Sequence, residues 1–146
     1  MPPAFARAIE ALTLNPECFD LYGTAKTRQG KWNPITVATS LFFAADGTYG
    51  SVDFNFTGPG AALTTPTGIL LPSLRYGVTG SSANISINAP GYWNVDNVNY
   101  NAETLLHEMG HLYNWVRGSG GFALSNFSEG KNSGAFDALI NKDCGL

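Results

Sequence analysis

The stretch Thr104-Leu105-Leu106-His107-Glu108-Met109-Gly110-His111-Leu112-Tyr113 decides how this chain is read. At about 100° per residue, a helix places His107 and His111 one turn apart on the same face. Two imidazoles so placed can both reach one tetrahedral zinc ion at about 2.0–2.1 Å. Glu108 falls beside them and is positioned to take a proton from metal-bound water rather than to ligate the ion. Leu105, Met109, Leu112 and Val116 form the opposite stripe, which should bury against a sheet. The chain has 2 histidines, both inside the pattern. The residues around them are uncharged, as suits a helix lying beneath a cleft rather than in bulk solvent.

Working outward, the pattern predicts a long helix over residues 102–117, stopped by the glycines of 118–121. Asn101 reads as its N-cap, Glu103 as an acid complementing the helix dipole, and Tyr100 with Leu105 as a hydrophobic staple. A polar loop then leads to a short final helix over 135–141. Before the long helix, 90–100 reads as an aromatic, Asn-rich loop, and 83–89 alternates Ile85 and Ile87 with Asn84, Ser86 and Asn88 as a strand does. Residues 61–74 are extended but interrupted by Pro66 and Pro72, so they form an edge strand or a loop. Residues 35–44 and 49–57 read as two strands joined through Asp46-Gly47, a hairpin signal. Residues 24–34 read as a loop. At the start, Phe5, Ile9 and Leu12 fall on one helical stripe over 3–14, and Pro16 opens a second short turn through Cys18, Phe19 and Tyr22. The fold class is α+β: a twisted, mostly antiparallel sheet against helices, in one domain spanning 1–146.

Charged residues make up 13 % of the chain and the formal net charge is −3, about half the usual charged share. So few cations leave no basic patch, which argues against nucleic acid as a partner. No apolar run approaches the ~20 residues of a membrane span, and the N-terminus does not read as a signal peptide. The surface composition suits a secreted, cell-surface or effector protein, with a leader removed or as a segment of a longer chain. Cys18 and Cys144 lie near opposite ends, and a disulfide between them would staple those ends together. Matches to glycosylation acceptors at Asn55, Asn84 and Asn126 decide nothing at this Asn, Ser and Thr content.

His107-Glu108-Met109-Gly110-His111 resembles the active-site helix of the zincin metallopeptidases. That resemblance implies a zinc cofactor, a peptide or protein substrate, and a sheet edge on which an extended substrate is bound. The strand over 83–89, closely preceding the helix, is the candidate for that edge. The early Cys, the His-Glu helix and the closing Asp-Cys also resemble small C-terminal domains of bacterial repeat-containing surface or effector proteins. Catalytic zinc sites take three protein ligands and a water. The metzincin branch would require a Gly and a third His further on, but those positions here are Asn114 and Arg117 and no further His exists, so a carboxylate must complete the site, as in gluzincins and aspzincins. Glu129, read as lying in a loop able to fold back, is the first choice; Asp137 and Asp143 are the others. Tyr92, Tyr100, Asn114 and Arg117 are candidate donors to an oxyanion. Two other functions stay open: a non-catalytic binding module of the same fold with a structural zinc, and a domain that cleaves its own parent chain.

Overall fold

The computed structural model describes residues 2–23, 29–44, 47–66, 82–93, 96–115 and 129–146, with only the backbone of 31, 44, 66, 115 and 129–133. Helix α1 (Pro3–Leu14) begins on a proline, whose missing N–H costs nothing in a first turn, and buries Phe5, Ala8, Ala11 and Leu12. Asn15 ends it: its Nδ2 donates to the Ala11 carbonyl and, across the fold, to the Cys144 carbonyl. Pro16 then opens α2 (Pro16–Asp20).

The segment 35–44 is not a strand. Helix α3 (Pro34–Thr39) continues as a π-helical turn (Ser40–Ala44). Its β-branched content favours a strand, but two local features prevail. The Asn33 side chain caps the start, accepting from the Ile35 and Thr36 N–H groups at 2.9 and 3.4 Å, and Pro34 occupies the first turn. The residues that reach the core, Val37, Ala38, Leu41 and Phe42, recur at helical rather than alternate spacing. The Asp46-Gly47 hairpin is therefore absent as drawn: helix, not strand, precedes it, and Asp46 itself lies outside the described residues. Likewise a 3₁₀ turn (Gly30–Trp32) occupies part of the expected 24–34 loop.

Three strands follow: β1 (Gly50–Asp53), β2 (Ala62–Pro66) and β3 (Ala83–Ile87), in the order β1-β3-β2. The β1–β3 pairing is parallel and the β2–β3 pairing antiparallel, so the sheet is mixed rather than mostly antiparallel. The strand foreseen as an edge, β3, is the central one, and its Ala83, Ile85 and Ile87 are buried. The edge role falls to β2, as the prolines in 61–74 suggested. On the other face, Asp53 accepts from the Ser86 hydroxyl and from Asn84, tying β1 to β3. These bonds, led by Ser86 and joined by the Asn55 N–H, hold Asp53 below its ordinary pKa despite some burial.

Helix α4 (Val98–Trp115) starts four residues earlier than its apolar pattern indicates. Asn97, not Asn101, caps it, its side chain accepting from the Tyr100 N–H at 3.0 Å. Asn101 lies inside the helix and is buried, so the Tyr100–Leu105 staple does not form. Leu105, Met109 and Leu112 are buried as their stripe requires, while Val116 lies outside the described residues. The last helix, α5 (Glu129–Cys144), also starts early, which takes Glu129 out of a loop and makes it a helix's first residue. Helix α4 runs through the middle of the fold, touching β2 and β3 on one side and α1 and α5 elsewhere. Cys18 and Cys144 are joined in a disulfide across 126 residues, binding α2 to the end of α5. Among the described residues no helix is long and apolar enough to cross a membrane.

Candidate metal centre

Helix α4 carries the histidines on a rigid base. The buried Tyr22 hydroxyl donates to the Leu106 carbonyl at 2.8 Å, and Tyr113 donates to the Trp32 carbonyl at 2.6 Å, so the helix is pinned on both sides of the motif. Burial, reinforced by nearby Tyr113, pushes the Tyr22 phenol well above its usual range, so it stays a neutral donor. His107 and His111 lie one turn apart as the spacing demands, with ring centroids 5.2 Å from each other. One ligand atom from each imidazole and one carboxylate oxygen of Glu108 all lie within 4.8 Å of one another. His107 and Glu108 are only 6 % and 4 % exposed; His111 is half-buried.

Helix α5 closes one side of the group. Phe136 packs edge-on against both rings, at 4.4 Å from His107 and 5.7 Å from His111. The next residue, Asp137, places Oδ1 2.6 Å from His107 Nδ1. A carboxylate there accepts the Nδ1 proton and leaves Nε2 as the nitrogen with a lone pair. Glu103, one turn before His107, faces Asn141 and Asp137 of α5. Burial first, then the charge of Asp137, pushes it up to about 6. With α4 beginning at Val98, Glu103 no longer sits in a first turn, so the dipole role is replaced by this contact with α5. Asp137 is likewise well inside its helix and owes its place to His107, not to a helix terminus.

The group opens on a cleft of about 540 Å³. His107, Glu108, His111, Glu103 and Asp137 line one part of it; Phe56, Pro59 and the strand residues Ala62, Leu63 and Thr64 line another. Thr64 is buried, and its hydroxyl donates to Glu108 Oε2. Of the expected third ligands, Asp143 does not line the cleft and Asp137 meets His107 directly. The Glu129 side chain lies outside the described residues; its backbone opens α5, two turns and roughly 12 Å of helix from Asp137. Among the oxyanion candidates Tyr100 lines the cleft, Tyr92 and Asn114 do not, and Arg117 lies outside the described residues.

Two imidazoles and a nearby carboxylate, one imidazole fixed by a second carboxylate, form a group that could hold a metal ion. Thr64 and Phe136 have no signal in the sequence that ties them to the motif, because each reaches it from about 30 or more positions away. Comparisons of the chain with protein-family models, with curated proteins and with solved structures find no match.

Proposed function

We propose that the protein is a zinc-dependent peptidase of zincin type, with His107 and His111 as metal ligands and Glu108 as general base. The observation that carries this reading is the convergence of the three side chains, mutually within 4.8 Å, on the cleft beside a sheet edge. Nitrogen ligands of this kind suit zinc among the available divalent ions. When bound, zinc supplies a Lewis acid for the scissile carbonyl and makes a water acidic near neutral pH.

The chain's own residues do the rest. Asp137 holds the His107 ring in the tautomer that presents Nε2. Glu108, buried and anchored from β2, receives the water's proton and returns it to the leaving amine. Strand β2 ends the sheet, and its outer edge has no strand partner among the described residues, so an extended peptide is placed by pairing there. Leu63, half exposed on that strand, gives the peptide an apolar contact in the cleft. The buried disulfide suits an oxidising, extracellular setting, in keeping with a secreted or surface protein.

The test is metal content and hydrolysis of unstructured peptides by wild type and Glu108→Gln. One zinc per chain in both proteins, with hydrolysis reduced about 10²- to 10⁴-fold in the variant, is the expected result. Equal hydrolysis by both overturns the catalytic role of Glu108. Bound zinc without hydrolysis by the wild type leaves the site a structural one, and a fragment of the protein itself that appears only with Glu108 intact points to self-cleavage.

A further inference from the structure

We infer that Thr64 is a positioning residue that keeps Glu108 off the metal and available as a base. This inference rests on the metallopeptidase reading above. The geometry raises the question it answers. A carboxylate oxygen of Glu108 lies as close to the two imidazoles' ligand atoms as a third ligand would, all within 4.8 Å. Proximity alone therefore does not decide whether Glu108 ligates the ion or acts beside it as a base. A carboxylate is a good ligand for any divalent ion that two imidazoles attract, and a side chain on the same helix has the reach to turn towards it.

A bond from a different element bears on that choice. Thr64 occupies the inward position of β2, between the exposed Leu63 and Thr65, opposite the buried Ile85 of β3. Its residual exposure is 5 %. The hydroxyl donates to Glu108 Oε2, and its distance to the Glu108 main-chain carbonyl is 3.4 Å, so the strand grips that residue's side chain beside its backbone. A hydroxyl has one proton to give, and the carboxylate is the stronger acceptor of the two. The bond occupies a lone pair on Oε2 and turns that oxygen towards the strand. Because β2 is hydrogen-bonded to β3 along its length, the donor cannot follow the carboxylate if it swings towards the ion. Thr64→Val keeps the shape and removes the hydroxyl; Thr64→Ser removes the methyl and keeps the hydroxyl.

Cobalt(II), added to the metal-free protein, reports the number and kind of its ligands through its visible absorption. In the wild type and in Thr64→Ser, a further Glu108→Gln exchange is expected to leave the number of cobalt ligands, read from the intensity of the visible bands, unchanged, since Glu108 is not a ligand. In Thr64→Val the spectrum is expected to shift as a carboxylate oxygen joins the ion, cobalt affinity to rise, and Glu108→Gln to reverse both changes. Loss of a merely structural threonine would instead lower affinity and leave Glu108→Gln without effect. A Thr64→Val spectrum identical to the wild type overturns the inference while leaving the metal site standing. So does a wild type in which Glu108→Gln already changes the number of cobalt ligands. A wild type that binds no cobalt overturns the inference together with the reading on which it rests.

Discussion

Asp137 Oδ1 lies 2.6 Å from His107 Nδ1, joining residues 30 positions apart and the two helices that bound the cleft. An imidazole whose Nδ1 proton is held by a carboxylate is fixed in orientation and made more basic at Nε2. Asp137→Ala is expected to weaken divalent-metal binding about 10- to 100-fold, as read by competition with a chromophoric chelator. Unchanged affinity would show that Phe136 packing alone orients the ring. A loss beyond about a thousandfold would mark Asp137 as a ligand in its own right.

Glu103 carries a pH dependence whose sign follows from its raised pKa. Between its ordinary value of 4.5 and about 6, the folded protein holds more protons at this carboxyl than the unfolded chain does. Stability therefore falls as pH rises through that window, because ionisation adds a charge beside Asp137 in a partly buried place. Metal-free wild type should lose Tm relative to Glu103→Gln as the pH goes from about 4.5 to about 6.5. A Tm difference that stays flat over this range would show that Glu103 keeps its unfolded pKa.

The disulfide ties α5, and with it Asp137 and Phe136, to α2. Removing a cross-link across so long a loop is expected to lower stability by about 2–5 kcal/mol. Cys18→Ala with Cys144→Ala should lower both Tm and metal affinity, since Asp137 lies seven residues before Cys144 on one helix. Both cysteines are fully buried, so the intact protein should resist mild reductants. Metal affinity equal to wild type, alongside a reduced Tm, would show that the packing of Phe136 and Ile140 suffices to seat α5.

Gly50 opens β1 at φ +118°, and a Cβ built there would lie 1.7 Å from the Ala83 carbonyl oxygen. Neither the strained backbone nor the contact can relax without parting β1 from β3. Gly50→Ala should cost about 2–4 kcal/mol in urea unfolding. Gly60→Ala is the control: φ is +100° but nothing lies within 4 Å of the added Cβ, so only the backbone term of about 1–2 kcal/mol remains. Equal losses at the two positions would mean that the β1–β3 approach does not need glycine.

Local chemistry made much of this protein legible in one dimension. Pro3, the Phe5 and Leu12 stripe and Asn15-Pro16 bound the first helix as the structure has it, because caps and apolar periodicity act within a few residues. The His107–His111 juxtaposition is of the same kind: it requires only that 104–113 be helical. The α+β class and the joining of Cys18 to Cys144 were legible too.

Apart from that disulfide, which elements meet was decided by the tertiary structure. Residues 35–44 have a strand's composition, yet the Asn33 cap and core burial at helical spacing make them helix, and the expected hairpin vanishes with the strand. Alternation marked 83–89 as β but could not say that both its edges would be paired, leaving the sheet's outer edges to β1 and β2. The partners of the site come from elsewhere: Thr64 from the sheet to Glu108, and Asp137 and Phe136 from α5 to His107. The spacing within a motif fixes geometry along one helix, whereas the environment of those side chains is set by packing between elements distant in sequence.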